Sequence, residues 1–132
     1  SVTIPDTVTE IGNSAFERDF AITELKLSKN LSSIGVGAFS WCQGLTNVDI
    51  PNSVTTLGMK SFWGCSELQT VKLPDNIKKI EDVCFEACDK VNTITYKGTN
   101  YTSLTEIYNA LINDGVSIPG GKYTFPYRSL KA

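Results

Sequence analysis

The stretch Val48-Asp49-Ile50-Pro51 recurs along the chain at a fixed interval, and this recurrence decides the fold. Its copies are Val2-Thr3-Ile4-Pro5, Leu25-Lys26-Leu27-Ser28, Val71-Lys72-Leu73-Pro74 and Ile94-Thr95-Tyr96-Lys97. The third residue of each copy stands at position 4, 27, 50, 73 or 96, so every step is 23 residues. A constant period of roughly 20 to 29 residues, with apolar residues at fixed offsets, predicts a solenoid whose strands stack side by side.

The rest of each repeat follows the same 23-residue spacing. Val48 and Ile50 alternate with polar residues, so they are predicted to point inward from a strand that Pro51 ends. Residues 54–58 are predicted to form a second short extended segment, and residues 61–65 a single helical turn. Phenylalanine occupies one column without exception: Phe16, Phe39, Phe62 and Phe85. Because neighbouring strands lie about 4.8 Å apart, these rings are predicted to stack into a continuous ladder.

The repeat pattern is similar to that of a known family. Residues 45–65 read Leu-x-x-Val-x-Ile-Pro-x-x-Val-x-x-Leu-Gly-x-x-Ser-Phe-x-x-Cys, which resembles the BspA-like (treponemal-type) leucine-rich repeat found mainly on large bacterial surface proteins. The resemblance covers about residues 1–96, with departures at Ser28, Glu81 and Asp19. It implies an α/β fold: a right-handed leucine-rich-repeat solenoid with short parallel strands and short helical turns. It also implies an extracellular or cell-surface location and action through protein or glycan contacts without catalysis.

The regular pattern ends after Tyr96, so residues 1–96 are predicted to form four full repeats plus a terminal strand, and residues 97–132 a C-terminal cap and tail. Ser103 and Glu106 have the spacing of a capping box, and apolar residues then recur with helical periodicity. We therefore expect a helix at about 103–113 that covers the last repeat. Two short apolar segments flank a Pro-Gly-Gly sequence, which predicts a hairpin over 116–125.

Composition excludes several classes of function. The 132 residues are 41% hydrophobic and carry a net charge of −2 with both signs mixed, as expected for a folded domain without a nucleic-acid or basic membrane-binding surface. No apolar run is long enough to span a membrane. The chain contains no histidine, so Ser-His-Asp and Cys-His catalysis and histidine-ligated metal sites are unavailable. We expect no enzymatic activity, no cofactor and no metal.

The four cysteines allow three interpretations. Cys42, Cys65 and Cys88 share one column, which favours small buried apolar side chains over reactive groups. One disulfide is an alternative, although stacked side chains about 4.8 Å apart exceed the Cβ separation that a disulfide prefers. A zinc site that uses Cys84, Cys88 and Cys65 is the third.

Two surfaces are candidates for partner binding. The first is the outward strand face, where Glu24, Lys26, Asn47, Asp49, Thr70 and Lys72 are predicted to form polar rows. These rows are also what any solvated solenoid requires. The second consists of three aromatic residues outside the repeating columns, Phe20, Trp41 and Trp63. Exposed, they would mark a protein or sugar contact; alternatively, they lie flat over neighbouring turns or against a preceding repeat.

Together with these observations, the resemblance implies a non-catalytic recognition module of a bacterial surface or secreted protein that mediates protein–protein or adhesive contacts, most simply as a monomer. The alternative is a passive spacer or scaffold repeat within a larger surface protein. No N-terminal signal peptide is visible. Because Ser1 immediately precedes a repeat strand and a solenoid needs a terminal cap, we expect the chain to be a fragment with any export signal upstream.

Overall fold

The computed structural model describes residues 1–132 and shows a parallel β-solenoid of about four turns. Each turn, or rung, contains a strand on one face, a strand on a second face and a segment of tight turns. The first face holds β1 (Val2–Thr3), β3 (Leu25–Lys26), β5 (Asn47–Asp49), β7 (Thr70–Lys72) and β9 (Thr93–Tyr96). The second face holds β2 (Glu10–Ile11), β4 (Ser33–Ile34), β6 (Thr56–Leu57) and β8 (Lys79–Ile80). Equivalent residues pair in register, for example Asn47 with Thr70. Each 23-residue repeat therefore forms one rung of the solenoid.

The core lies between the faces and consists of the predicted inward columns. Val48 and Ile50 are 3% and 0% exposed. The Phe16, Phe39, Phe62 and Phe85 rings stack with centroid separations of 5.2, 5.3 and 5.4 Å and interplanar angles of 5°, 11° and 8°. The predicted phenylalanine ladder is confirmed.

The third face, here the turn face, comprises residues 12–22, 35–45, 58–68 and 81–91. It is built from consecutive turns and contains no helical turn. Two columns have positive φ: Ser14, Gly37, Lys60 and Val83, and Arg18, Trp41, Gly64 and Ala87. Alternate N–H groups donate to the next rung, as Phe39 does to the Ser61 carbonyl at 2.7 Å. A helical turn would direct these groups back along its own segment, so stacking replaces the expected helix with turns.

Beyond β9, the chain forms β10 (Thr99–Tyr101) and α1 (Leu104–Asn113). The Glu106 N–H donates to Ser103 Oγ at 3.3 Å, which caps the helix as predicted. The buried face of α1 consists of Leu104, Ile107 and Leu111, which belong to the solenoid core. The helix has 10 residues, and no helix here combines the length and apolarity needed to cross a membrane.

The hairpin predicted over 116–125 is wrong. Ser117 instead joins β8 through a parallel bridge to Lys79, and Gly121–Thr124 is a 3₁₀ helix. The Ile80 N–H donates to the Ser117 carbonyl at 2.9 Å. Backbone N–H groups at the edge of the last rung need acceptors, because a buried backbone group without a partner costs free energy. This segment supplies them.

The same segment also completes the turn face. The Phe85 N–H donates to the Thr124 carbonyl at 2.9 Å, and the Phe125 ring stacks on Phe85 at 6.4 Å with an interplanar angle of 13°. Phe125 is fully buried. With β10 paired antiparallel to β9, the C-terminal region thus supplies a partner to all three faces of the last rung. It acts as an irregular fifth rung with α1 inserted into it.

A polar contact ties the end of α1 to β9. The Tyr96 hydroxyl donates to Asp114 Oδ2 at 2.6 Å, and Lys97 Nζ lies 3.0 Å from the same oxygen. The hydrogen bond from Tyr96, followed by that from Lys97, holds the pKa of Asp114 below its usual range. Burial, together with the bond to Asp114, raises the pKa of Tyr96.

Acid is therefore expected to weaken this contact. Because the folded pKa of Asp114 lies below the unfolded value, its stabilisation is fully present above about pH 4 and is lost as the pH falls through the folded pKa. When the midpoint of thermal unfolding is measured against pH, Asp114→Asn should lack the part of the decrease at acid pH that comes from protonation of Asp114. Glu106→Gln on the same helix serves as the control and should keep the wild-type slope. An identical decrease at acid pH for Asp114→Asn and the wild type would contradict the prediction.

Candidate functional site

The outward side chains of the strand face satisfy one another. Thr70 Oγ1 donates to Asn47 Oδ1 at 2.6 Å, and Lys72 Nζ lies 3.9 Å from Asp49 Oδ1. Lys26 forms no ion pair. Of the possible row of alternating charges Lys26, Asp49 and Lys72, only the Asp49–Lys72 pair is therefore in contact. In the C-terminal half of this face, polar side chains of one strand therefore contact those of the adjacent strand.

Two shallow cavities lie on the N-terminal half of the strand face and share Leu25 and Lys26. One, of about 290 Å³, is also lined by Leu27, Lys29, Asp49 and Pro51. The other, of about 280 Å³, is also lined by Ser1, Val2, Thr3 and Glu24. Of the candidate residues on this face, Glu24, Lys26 and Asp49 line cavities, whereas Asn47, Thr70 and Lys72 line none.

The off-column aromatic residues lie on the turn face of three successive rungs. Trp41 and Trp63 are half-buried and pack edge to face, with centroids 4.6 Å apart at 76°. The Trp41 ring also covers Gly64, where an added Cβ would lie 2.8 Å from ring carbon Cε3. Trp41 therefore lies over the neighbouring turn, which is one of the three arrangements considered from the sequence, and Trp63 packs against it.

Phe20 is exposed, in contrast to the tryptophans. Its side chain is 59% exposed, and together with Arg18, Trp41 and Gln43 it lines a groove of about 220 Å³. Trp41 thus contacts Trp63 with one part of its surface and offers another to the groove. The structure brings the three aromatic residues into one strip, but only Phe20 projects into solvent.

The turn face carries two further exposed apolar residues that the sequence analysis missed. Val36 and Met59 occupy one column on adjacent rungs and are 43% and 41% exposed. Lys60 Nζ lies 5.3 Å from the centroid of the Trp63 ring. A signal was available, because this column holds polar Asn13 and Asp82 in the other rungs, so neither core packing nor the repeat requires an apolar residue there.

All four cysteines are buried free thiols. The thiols of Cys42, Cys65 and Cys88 donate to carbonyls of the preceding rung at 3.2, 3.2 and 3.1 Å. Cys84 Sγ lies 3.0 Å from Ser61 Oγ. Burial raises the pKa of Cys42 and of Cys84 to about 12. No group of three or more Cys, Asp or Glu side chains is arranged to hold a metal ion. These thiols fill space and satisfy carbonyls.

The native thiols are therefore expected to resist alkylation. At Cys42 and Cys84, whose pKa is about 12, only about one thiol in 10⁵ is ionised at neutral pH, and only the thiolate reacts. Cys65 and Cys88 are fully buried, so the reagent does not reach them in the folded chain. Iodoacetamide should leave the mass of the folded chain unchanged. In denaturant without reductant, it should modify all 4 cysteines. Rapid modification of the native chain, or fewer than four adducts after unfolding, would contradict this expectation.

Comparison with known proteins gives a consistent result. The profile of the BspA type leucine rich repeat region matches residues 1–114 in 6 copies. The structure of a T. pallidum leucine rich repeat protein is 32% identical, with a TM-score of 0.68 over 71% of this chain and 45% of that one. A leucine rich cell surface protein from Faecalibacterium prausnitzii A2-165 is 31% identical, with a TM-score of 0.71 over 74% of this chain and 26% of that one.

A third structure, a leucine-rich repeat protein from Bacteroides ovatus ATCC 8483, is 26% identical, with a TM-score of 0.65 over 83% of this chain and 27% of that one. No curated protein matches the chain. The aligned part of this chain spans less than half the length of each of the three solved structures.

Proposed function

Because this chain belongs to the BspA-type leucine-rich repeat family, we propose that it is a non-catalytic recognition module of a bacterial cell-surface or secreted protein. It acts as a monomer and binds a partner protein through its turn face. Residues 1–96 supply the binding solenoid, and residues 97–132 close its end. Catalysis is not part of the proposal, since the chain lacks the histidine that Ser-His-Asp and Cys-His mechanisms require.

The observation that carries this proposal is a strip of apolar side chains on the turn face of the first three rungs. The strip consists of Phe20, Trp41 and Trp63, and Val36 and Met59 lie exposed in a different column of the same face. Phe20, Val36 and Met59 are 41–59% exposed, although none is needed to fill the core. Exposed apolar side chains grouped on one face are typical of interaction sites, and tryptophan is enriched among the residues that dominate binding energy.

The backbone beneath the strip is rigid. The Trp41 N–H donates to the Trp63 carbonyl at 2.7 Å, and Trp41 holds a left-handed φ of 61° that the stacked turns impose. The indole is further restrained against Gly64 and Trp63. A partner therefore meets a Trp41 side chain that is already ordered, which reduces the entropic cost of association.

The strand face supports a binding role less well. Its side chains bond to one another at Asn47–Thr70 and Asp49–Lys72, so a partner would have to displace these contacts. Exposed pairs of this kind also contribute little to affinity. If the turn face binds nothing, the chain is the passive spacer of the alternative proposal.

The proposal is tested with a library of peptides displayed on phage, selected on the folded wild-type chain. Selected peptides are expected to lose at least about thirtyfold in affinity for Trp41→Ala and for Phe20→Ser, the loss that follows from a hot spot of about 2 kcal/mol. Lys72→Ala on the strand face is the matched control and should bind as the wild type does. Circular dichroism checks that each variant remains folded.

Selection of peptides that bind the Trp41 and Phe20 variants unchanged would contradict the turn-face proposal. Failure to enrich any peptide over repeated rounds would favour the spacer.

A further inference from the structure

The hydrogen-bond ladder of the strand face is interrupted between its second and third rungs. Strand β3 pairs only with β1, while β5, β7, β9 and β10 form a separate sheet. The N–H groups of Ile4, Ile50 and Leu73 each donate to the next rung, at 2.8, 3.0 and 2.9 Å. Leu27 occupies the same column, but the equivalent bond to the Asp49 carbonyl is absent. Leu27 is 7% exposed as a residue, and its N–H has no hydrogen-bond partner in the chain.

The interruption extends to both sides of Leu27. Upstream, the Asn92 and Gln69 N–H groups donate to the preceding rung at 3.0 and 2.7 Å, but the equivalent bond from Thr46 to Thr23 is absent. The ladder resumes downstream, where the Thr55 N–H donates to the Ser32 carbonyl at 3.0 Å. The gap is therefore confined to the strand face.

One substitution in the repeat accounts for the downstream part of the gap. Asp6 Oδ1 accepts from the Lys29 N–H at 3.2 Å, and Asn52 Oδ1 accepts from the Asp75 N–H at 3.0 Å, in each case across one rung. Lys29 stands in the same column between Asp6 and Asn52. Its side chain can only donate, so it provides no acceptor for the Asn52 N–H.

A second substitution ties the end of β3 to the first rung. Ser28 occupies the column that holds proline at positions 5, 51 and 74. Its hydroxyl is fully buried and donates to the Val8 carbonyl at 2.7 Å, while Asn30 Nδ2 donates to the Asp6 carbonyl at 2.8 Å. The first two rungs are thereby joined to each other, and the third is not joined to them on this face.

The other two faces cross the same junction without interruption. Strands β4 and β6 pair in register, and the Trp41 N–H donates to the Trp63 carbonyl at 2.7 Å. On the strand face, by contrast, the cavity of about 290 Å³ lies at the gap. Leu25 lines it and is half-buried, although Val48 and Val71 in its column are 3% and 1% exposed.

We propose that this junction is a hinge built into the solenoid: the first two rungs swing away from the third and fourth on the strand face, and the second and turn faces act as the pivot. Opening exposes the edges of β3 and β5 while the pivot keeps its hydrogen bonds. Low-stability elements of this kind open by local fluctuation while the rest of the fold stays intact.

The test is hydrogen exchange of the full chain, followed amide by amide by NMR. The Leu27 amide should exchange at least about tenfold faster than the Ile50 and Leu73 amides, which occupy the same column and are bonded. Equal protection of the three amides would overturn the proposal.

A pair of variants tests the cause. Lys29→Asn restores the short acceptor present at position 52, so it should slow exchange of the Asn52 and Leu27 amides severalfold. Lys29→Gln removes the same charge with a longer side chain, so it should leave exchange at the wild-type rate. If neither variant slows exchange, or if both slow it equally, the missing acceptor does not cause the opening and the proposal fails.

Discussion

Phe62→Ala is expected to lower the free energy of unfolding by about 3–5 kcal/mol, the usual cost of emptying an aromatic core site. The ring is fully buried and stacks between Phe39 and Phe85, with centroids at 5.3 and 5.4 Å. Truncation removes both stacking contacts and leaves a cavity that the hydrogen-bonded rungs on either side cannot close. Urea denaturation followed by tryptophan fluorescence and circular dichroism measures the loss.

Phe20→Ala is the matched control for this variant. The same side chain is truncated, but Phe20 is 59% exposed and lies outside the ladder. Its effect on the free energy of unfolding should stay within about 0.5 kcal/mol. An unchanged denaturation midpoint for Phe62→Ala, or equal losses for the two variants, would refute the ladder as a source of stability.

Phe125→Ala is expected to cost about 3 kcal/mol, although Phe125 lies outside every repeat. Its ring is fully buried and extends the ladder beyond Phe85, at a centroid separation of 6.4 Å. The adjacent Thr124 carbonyl accepts the Phe85 N–H at 2.9 Å, so disturbance of this segment also exposes the last rung. Urea denaturation gives the total loss, and hydrogen exchange should show faster exchange of the Phe85 amide.

Tyr123→Ala serves as the control, since Tyr123 belongs to the same 3₁₀ helix and is 67% exposed. It should change the free energy of unfolding by less than about 1 kcal/mol. If Phe125→Ala proves as mild as Tyr123→Ala, the C-terminal segment does not act as a fifth rung.

The regular part of this fold was predictable because its contacts join equivalent residues. A period of 23 residues brings Val48 next to Val71 and Phe39 next to Phe62 in any arrangement that stacks the repeats in register. Stacking in register, together with the burial of apolar side chains, produces the inward columns, the strand pairing and the phenylalanine ladder. The helix over Leu104–Asn113 was also predictable, because its cap and apolar stripe are local in sequence.

The conformation of the turn face was not predictable from local pattern. The Ala-Phe-x-x-Cys segment has the composition of a helical turn, but its N–H groups donate to the neighbouring rung. Stacking therefore selects a left-handed backbone at Trp41 and Ala87, positions where the sequence predicts a helical turn. The cost of those conformations is offset by backbone hydrogen bonds that exist only in the stack.

The candidate site divides in the same way. The sequence identified Phe20, Trp41 and Trp63 as residues that the repeat does not require, and it placed them near one another on successive rungs. It did not determine which of them is exposed: Trp41 lies over Gly64 and against Trp63, while Phe20 projects into solvent. Side-chain direction depends on the neighbouring rung, which differs at each step along the solenoid.

By itself, the sequence determined the solenoid, its register and its core, because each of these is a relation between residues 23 positions apart. Contacts in the folded chain determine how the last rung is closed, where the strand face is interrupted and which aromatic side chain is exposed. Each of these depends on contacts between residues that are not equivalent in the repeat, such as Phe85 with Phe125 and Ser28 with Val8. A period carries no information about such pairs, so the packing energy and hydrogen bonds of the assembled chain determine them.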